Sequence, residues 1–276
     1  MPQDMTDKNS EQYVICDGKK VFVNNGILNF HSDTVESFTE IEGLSNLKNL
    51  KGLYTGPMYS LKRIENLEAL TNLKELAIIG SQCLDKVENL ENLNNLRYLD
   101  VSENLITEFI GLDLRNLEIL KCNRNSITEI KGLNELTNLK ELWLHENEIT
   151  EIKGLEKLKK LEILSLWGNK ITEIKGLDTL RNLKELRLSG NKITEIRGLD
   201  TLINLKSLDL DSNQIKEIKG FKSLKKLEFL FLDGNEIRDV EGIKSLYTLK
   251  WIRLSGNPLN YDKIKSLRRS NLEIYY

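Results

Sequence analysis

The chain has 276 residues, with 40 basic and 42 acidic side chains and a formal net charge of −2. This length can bury a sizeable core, while the near-balance of charge argues against a dedicated binder of nucleic acid or of a membrane surface, which usually carries a basic excess. No stretch approaches roughly 18 consecutive apolar residues, so no membrane-spanning segment is predicted.

The N-terminal residues 1–12 are polar and lack the apolar core of a secretory signal, so no such signal is predicted. We expect these residues to form a disordered tail. Residues 13–34 are predicted to form a β-hairpin cap, because the run from Val14 to Val23 contains Asp17-Gly18, a favoured two-residue turn. Such a cap would protect the open strand edge and the core of the first repeat from water.

A repeating unit organises residues 35–257. Asparagines recur at 104, 125, 147, 169, 191, 213, 235 and 257, with a first step of 21 residues and later steps of 22. Within a unit, Leu142-x-Leu144 alternates with period two, as in a short strand with one buried face. Leu155, Leu158 and Leu161 are three apart, which favours a 3₁₀ turn. One unit cannot bury its leucines alone, so stacking into a solenoid is predicted.

The repeat extends upstream in weaker form. Ser81 takes the asparagine position after Leu76-x-Ile78, and a degenerate unit begins near Leu28-x-Phe30 with Asp33 at its corner. This predicts about eleven strands, which at ~4.8 Å per strand give an arc of roughly 50 Å. The recurring asparagines are interpreted as structural, since an amide both donates and accepts hydrogen bonds at corners that no strand ladder satisfies. Glycines seven residues after the asparagines mark the turn on the convex side.

The three cysteines are an odd set with no spacing typical of disulfide pairing. Cys122 occupies a core-leucine position and Cys83 a core-isoleucine position, so we expect buried free thiols. Free thiols suit a reducing compartment, and a cytoplasmic location is predicted.

The C-terminal residues 258–276 are predicted to form a second cap. Asn257-Pro258-Leu259 leads into a short helix from Tyr261 to Arg269, with Ile264 and Leu267 facing inward. A last strand is expected at Leu272-Glu273-Ile274. Caps and repeats together account for the chain, so no separate catalytic domain is expected.

The pattern L-x-x-L-x-L-x-x-N-x-I-x-x-I-x-x-L, which covers roughly residues 28–257, resembles the leucine-rich-repeat superfamily. Its 22-residue class resembles the eukaryotic protein phosphatase-1 regulator built from such repeats and the bacterial internalins. The resemblance implies an α/β solenoid, a horseshoe with a parallel concave β-sheet and short 3₁₀ or helical turns on the convex side. Fold alone does not fix function.

Catalysis is not expected. His31 and His145 are the only histidines and lie about five repeats apart, and no HExxH, zinc-type Cys/His, P-loop or GxSxG motif occurs. Most carboxylates alternate with bases at solvated convex positions, as in the repeated Glu-Ile-Lys-Gly runs. We therefore predict no enzyme activity, no cofactor and no metal site.

The outward-facing strand positions are informative because the core does not dictate them. All three tryptophans fall there, and large exposed aromatics usually mark interaction sites. Aspartates beside them would form a charged rim that selects a basic partner surface. The predicted partner-binding residues are Trp143, His145, Trp167, Arg187, Asp209, Asp211, Phe229, Phe231, Asp233, Trp251 and Arg253.

An alternative is that these aromatics pack on one another across strands, Trp143 with Trp167 and Phe231 with Trp251, and stabilise the sheet without a partner. Against it, the convex half nearly repeats from residue 127 to 205 (ITEIKGL, then ITEIRGL), whereas the outward positions differ in every unit. A uniform scaffold with a varied face is typical of a binding solenoid.

We therefore predict a cytoplasmic, non-catalytic scaffold or regulator that binds a folded protein on its concave sheet. The resemblance makes a phosphatase catalytic subunit one candidate partner; small GTPases and signalling or cytoskeletal proteins are others. Neither nucleic acid nor a membrane is expected as a partner, and a monomer is favoured over a homodimer. Alternatives are an internalin-like surface adhesin or receptor ectodomain and a self-assembling repeat protein joined by a twofold interface.

Overall fold

The computed structural model describes residues 12–260, 264–265, 267 and 271–276. Its main feature is a 12-stranded sheet in which every neighbouring pair of strands is parallel. This architecture confirms the predicted solenoid, with eleven repeat strands followed by a last strand. The strands of this large sheet are β3 Ile27–Phe30, β4 Gly52–Thr55, β5 Glu75–Ile78, β7 Tyr98–Asp100, β9 Ile119–Lys121, β10 Glu141–Trp143, β11 Ile163–Ser165, β12 Glu185–Arg187, β13 Ser207–Asp209, β14 Phe229–Phe231, β15 Trp251–Arg253 and β16 Glu273–Tyr275.

The remaining elements are short. An antiparallel hairpin joins β1 Tyr13–Cys16 to β2 Lys19–Phe22, and a separate parallel pair joins β6 Lys86–Val87 to β8 Glu108–Phe109. The 3₁₀ segments are Phe38–Glu40, Leu44–Asn46 and Glu241–Ser245. No described helix has the length and apolar character that crossing a bilayer would require.

The strands of the large sheet pair in register, so equivalent residues of successive repeats lie side by side. Leu142 pairs with Leu120 on one side and Leu164 on the other. Each residue of the central repeats therefore neighbours its counterpart 22 positions away, which aligns side chains in rows along the sheet. These rows make the outward face predictable from the repeat once the register is known.

The core is a stack of leucines and isoleucines between the sheet and the convex turns. Leu142, Leu155, Leu158 and Leu161 are all fully buried. Backbone bonds from Leu158 N to Leu155 O and from Leu161 N to Leu158 O, each 3.0 Å, close single turns of the i to i+3 type. The spacing of three is thus a 3₁₀ spacing, as predicted.

The asparagine corners form a hydrogen-bonded ladder. Asn169 donates from Nδ2 to the carbonyls of Leu144 and Leu166, both at 3.0 Å, and its Oδ1 accepts from the Ile149 amide at 3.0 Å. One amide thereby satisfies backbone groups of its own repeat and of the preceding one. The structural interpretation of these asparagines is confirmed.

The convex turns need glycine. Gly154 has φ +75°, and a Cβ on it would lie 2.2 Å from the carbonyl oxygen of Ile130 in the preceding repeat. Both the left-handed backbone and the contact exclude a larger side chain, so glycine recurs here to let adjacent turns approach.

The N-terminal hairpin is present and rests on the first turn of the solenoid. Asp17 and Gly18 have φ of 50° and 69°, as a turn with both central residues left-handed requires. Ile15 exchanges backbone hydrogen bonds of 3.0 and 3.1 Å with Glu42, which fixes the hairpin on the residues that follow. The disordered tail predicted for residues 1–12 lies outside the described residues except for Gln12.

At the C-terminus, β16 extends the sheet beyond the last repeat by pairing with β15. Ile264 and Leu267 are buried, as expected for inward-facing positions. The helix predicted from Tyr261 to Arg269 falls largely outside the described residues.

The prediction for Cys83 is wrong. Its thiol is exposed, whereas Cys16 and Cys122 are buried as expected. Ser81 and Asn104 are 23 residues apart, one more than the usual step, and the extra residue lies directly after Ser81. Leu84, which is fully buried, therefore takes the core position that the regular spacing had assigned to Cys83.

The corner of the first unit is also displaced by one residue. Asp33 is exposed, whereas Ser32 is 2% exposed. The Ser32 hydroxyl accepts hydrogen bonds from the amides of Thr34 at 3.2 Å and Val35 at 3.0 Å. Ser32, not Asp33, is thus the residue that satisfies the backbone at this corner.

Candidate functional site

The outward-facing strand positions form what we call the concave face. Because the strands are in register, one row of this face runs through Trp143, Ser165, Arg187, Asp209, Phe231, Arg253 and Tyr275, one residue from each of β10 to β16. A parallel row places His145 beside Trp167. Side chains of these rows contact one another both along a row and between rows.

The first cluster on the concave face is built around His145. Its ring stacks on Trp167, with centroids 4.6 Å apart and planes at 12°, and meets Trp143 edge-on at 6.3 Å. The sequence alternative paired Trp143 with Trp167 directly, but the histidine lies between them. Burial lowers the pKa of His145, so this imidazole is neutral at pH 7 and contributes aromatic surface.

Arg187 completes this cluster from two strands away. Its guanidinium carbon lies 5.0 Å from the centroid of the Trp143 ring. Ser165, on the intervening strand, is fully buried beneath the two side chains because it is small enough to let them meet. Glu185 pairs with Arg187 at 2.5 Å, and Glu141 accepts a 3.0 Å hydrogen bond from the Trp143 indole. The arginine and the ring are thereby held in fixed orientations.

The second cluster is built around Arg253. Its guanidinium carbon lies 4.9 Å from the centroid of Phe231, and its nitrogens pair with Asp211 and, at 3.0 Å, with Asp233. These aspartates were expected to form a rim that selects a basic partner. In the structure, the carboxylates of Asp211 and Asp233 pair with Arg253 of the same face.

Asp211 is the most perturbed acid of the concave face. Burial, and then the neighbouring Asp209 carboxylate, raise its pKa to about 6. Its oxygens also accept from the Asp233 amide at 2.7 Å. The Asp209 carboxylate in turn accepts from the Asp211 amide at 3.1 Å. The second cluster is thus a connected network of acids around one arginine.

At the C-terminal end, Trp251 stacks on Tyr275 with centroids 4.5 Å apart and planes at 21°. The sequence alternative had paired Trp251 with Phe231, and Tyr275 was missed. Tyr275 lies 22 residues after Arg253, so continuing the repeat into the last strand would have found it. Phe229, at 38% exposed, is the most accessible predicted site residue.

The concave face gathers side chains of a few chemical types. Among the described residues, no group of three or more histidine, cysteine or acidic side chains could hold a metal ion. The face offers aromatic rings, guanidinium groups and carboxylates already fixed by neighbours. Such residues are enriched in the energetically dominant parts of binding interfaces.

Family models for leucine-rich repeats match the chain over most of this region. A two-copy repeat model matches residues 115–157, 137–179, 159–201, 181–223 and 203–245, and a single-repeat model matches 95–117. Together they run without a gap over more than half of the 276 residues. The chain belongs to the leucine-rich-repeat proteins.

Solved structures agree. TLR13, seen in a complex with single-stranded RNA, is 29% identical with a TM-score of 0.73. The match covers 82% of this chain but 35% of TLR13, so the chain spans about a third of that protein's length. A leucine-rich-repeat protein from Leptospira interrogans is 26% identical (TM-score 0.54; 84% of this chain, 74% of its own). An internalin C2 from Listeria monocytogenes is also 26% identical (TM-score 0.58; 69% and 83%). Among curated proteins, none matches the sequence significantly.

Proposed function

We propose that this protein is a non-catalytic scaffold or regulator that binds a folded protein partner on the concave face. The observation that carries the proposal is the pair of arginine–aromatic clusters on one sheet face, one joining Arg187 to Trp143 and the other joining Arg253 to Phe231. Leucine-rich-repeat proteins commonly act as interaction scaffolds, which supports binding in general.

The fixed orientation of these side chains supports the proposal physically. Immobilising a mobile side chain on binding costs about 0.5–1.5 kcal/mol, and a group already held by neighbours avoids most of that cost. Trp143, His145, Trp167 and Arg187 contact one another in the free protein. A partner would thus meet an ordered surface, on which Phe229 and Tyr275 are the most exposed rings.

The partner would be a protein whose surface offers apolar side chains together with hydrogen-bond acceptors for the two arginines. A phosphatase catalytic subunit, a small GTPase and a signalling or cytoskeletal protein remain the candidates, and the cytoplasm remains the proposed location. A monomer is expected, and sedimentation over a range of protein concentrations tests the self-assembly alternative.

A paired capture experiment tests the site. The native chain and the variant Trp143→Ala/Trp167→Ala/Phe231→Ala are used as baits in lysate from the source organism. The control is Leu105→Ala/Ile110→Ala, two exposed apolar residues outside the concave face. We expect a protein that the native chain and the control retain and the triple variant loses. Retention by all three folded baits would contradict the site.

A surface adhesin is the second candidate, favoured by the likeness to internalin C2. It would use the same face but on the outside of the cell. Protease added to intact source cells distinguishes the two, since an adhesin is cleaved while a cytoplasmic scaffold is protected.

A further inference from the structure

One edge of the solenoid is strongly basic. The four residues before each strand of the large sheet, from β4 to β15, together hold 14 lysines and arginines and three glutamates. All 14 cations are exposed. We call this surface the basic edge; its cations are Lys48, Lys51, Lys74, Arg97, Arg115, Lys140, Lys159, Lys160, Arg181, Lys184, Lys206, Lys225, Lys226 and Lys250.

The opposite edge has the reverse balance. The eight asparagine corners between residues 102 and 258, each taken as four residues, hold three cations and six acids. The net charge of −2 conceals this separation, because acidic residues elsewhere in the chain offset the cations of the basic edge. This is why composition predicted neither a membrane nor a nucleic acid as partner.

Most cations of the basic edge have no ion-pair partner among the described residues. Glu118 pairs with Arg97 and Lys140, Glu162 with Lys184, and Glu228 with Lys250, at 2.5 to 2.7 Å. Arg115 pairs with Asp113 and Glu135. Within the described part of the chain, the other nine cations form no ion pair with a carboxylate. The positive electrostatic potential of these cations attracts anions and is screened by salt.

A second asparagine ladder holds the basic edge in register. Asn138, Asn182 and Asn204 donate from Nδ2 to carbonyls of the preceding turns at 2.7 to 2.9 Å. Lys226 occupies the next such position and donates from Nζ to the side-chain oxygen of Asn204 at 2.6 Å. The backbone that carries the cations is thus ordered, with turns ~4.8 Å apart.

Two exposed apolar side chains interrupt the cations. Ile203 is 52% exposed and Tyr247 is 78% exposed. In four successive turns the same position is Arg181, Ile203, Lys225 and Tyr247, so cations and apolar groups alternate along the surface. Surfaces that lie on a membrane combine lysines or arginines with apolar and aromatic groups in this way.

A cleft of about 860 Å³ opens beside these residues. Its lining includes Lys206, Lys225, Lys226 and Lys250 and two carboxylates, Glu228, which is directed to Lys250, and Glu273. The lining therefore keeps an excess of positive charge. Three of the four lysines are therefore free of a carboxylate partner in the described structure. This volume and charge suit the phosphate-bearing headgroup of a lipid.

We propose that the basic edge docks on an anionic phospholipid membrane, with the lysines of the cleft on headgroup phosphates and with Ile203 and Tyr247 in the interfacial layer. A nucleic acid fits less well, because single strands are held by stacking on several aromatic rings and an exposed isoleucine has no part in that. The concave face is a different surface, so a docked molecule could still bind a protein there.

Vesicle sedimentation tests the proposal with the full chain. The vesicles are phosphatidylcholine alone or phosphatidylcholine mixed with phosphatidylserine. The protein is expected to sediment only with the mixed vesicles, and salt is expected to weaken the binding. Lys206→Glu/Lys225→Glu/Lys226→Glu is expected to lower the affinity by about a hundredfold or more, since each lysine contributes about fivefold. Ile203→Ser/Tyr247→Ser is expected to lower it by roughly tenfold.

The matched control is Arg124→Glu/Lys170→Glu/Lys192→Glu, which makes the same charge change at exposed positions on the opposite edge. It is expected to bind like the native chain, and thermal unfolding verifies that every variant is folded. Equal loss in both charge variants would mean that net charge alone acts and would overturn the proposal. The proposal would also be overturned if the native chain bound both kinds of vesicle equally, or if it bound single-stranded RNA but not the mixed vesicles.

Discussion

Arg187 lies over the ring of Trp143, with 5.0 Å between its guanidinium carbon and the ring centroid, although the two residues are on strands separated by a third. The contact forms because Ser165 lies between them in the same row and is small enough to be covered completely. A larger residue there would separate the arginine from the ring. The contact between Arg187 and Trp143 thus depends on a small residue that is itself fully buried.

The energy of this contact is measurable in a double-mutant cycle. Arg187→Met and Trp143→Leu, alone and together, are compared with the native chain by urea unfolding. We expect a coupling free energy of about 0.5–1 kcal/mol, the range of a cation–π pair at a partly exposed site. Additive single effects would mean that the two side chains do not interact in solution.

The stability of the protein should depend on pH through Asp211. Its pKa is about 6 in the folded state, above the ordinary value near about 3.9 that applies to the unfolded chain. Between these values the folded state binds the proton and the unfolded state does not, so lowering the pH stabilises the fold at this residue. From pH 7 to pH 4, the free energy of unfolding of the native chain should therefore rise relative to Asp211→Asn.

Glu228 supplies a control of opposite sign. A hydrogen bond from Lys250 lowers the pKa of Glu228, so its contribution is present above the unfolded pKa and is lost as the pH falls through the folded value. The native chain should lose stability relative to Glu228→Gln under acid. Parallel curves for the native chain and Asp211→Asn would contradict the environment assigned to Asp211.

Two glycine substitutions separate backbone conformation from crowding. A Cβ on Gly176, at φ +74°, would lie 2.2 Å from the Ile152 carbonyl oxygen, whereas one on Gly111, at φ +60°, would meet nothing within 4 Å. Gly111→Ala should cost about 1–2 kcal/mol for the left-handed backbone, and Gly176→Ala about 1–3 kcal/mol more for the clash. Chemical unfolding measures both; equal losses would mean that the repeats are not packed this closely.

Thiol labelling tests the register around the 23-residue step. Cys83 is exposed, while Cys16 and Cys122 are buried and burial raises the pKa of both thiols. A maleimide should modify Cys83 alone in the native protein and all three thiols in denaturant, because exposure and thiolate content control reactivity. Mass spectrometry of the digested protein identifies the modified residue. Protection of Cys83 from the maleimide would instead place its side chain in the core, as the regular 22-residue spacing predicted.

The fold was predictable from the sequence because each repeat carries the same pattern of strand and turn residues. Leu142 and Leu144 define a strand, Leu155, Leu158 and Leu161 define a turn, and the 22-residue step fixes how units stack. The errors, at Cys83 and Asp33, fall where the spacing or the corner residue departs from the regular unit. A single extra residue changes which side chain faces inward. A pattern averaged over the repeats does not show at which position of the unit that extra residue is accommodated.

The candidate site was only partly predictable. The repeat placed Trp143, His145 and Trp167 on the outward face, because outward positions follow from the strand period. Their contacts depend on side-chain length and on the size of what lies between, as with Arg187 reaching over Ser165. The sequence did not reveal the basic edge, because its cations are dispersed along the chain, one or two per turn. Only the stacking of the turns brings them together on one surface.

Site-specific photo-crosslinking tests the central claim of a protein-binding concave face most directly. A photoreactive phenylalanine analogue replaces Phe229, which is 38% exposed and lies on the face, or Ile110, which is 51% exposed and lies outside it. Each chain is irradiated in lysate from the source organism. A discrete protein adduct at position 229 and none at position 110 is the predicted result. Adducts at position 110 alone, or equal adducts at both positions, would contradict the claim.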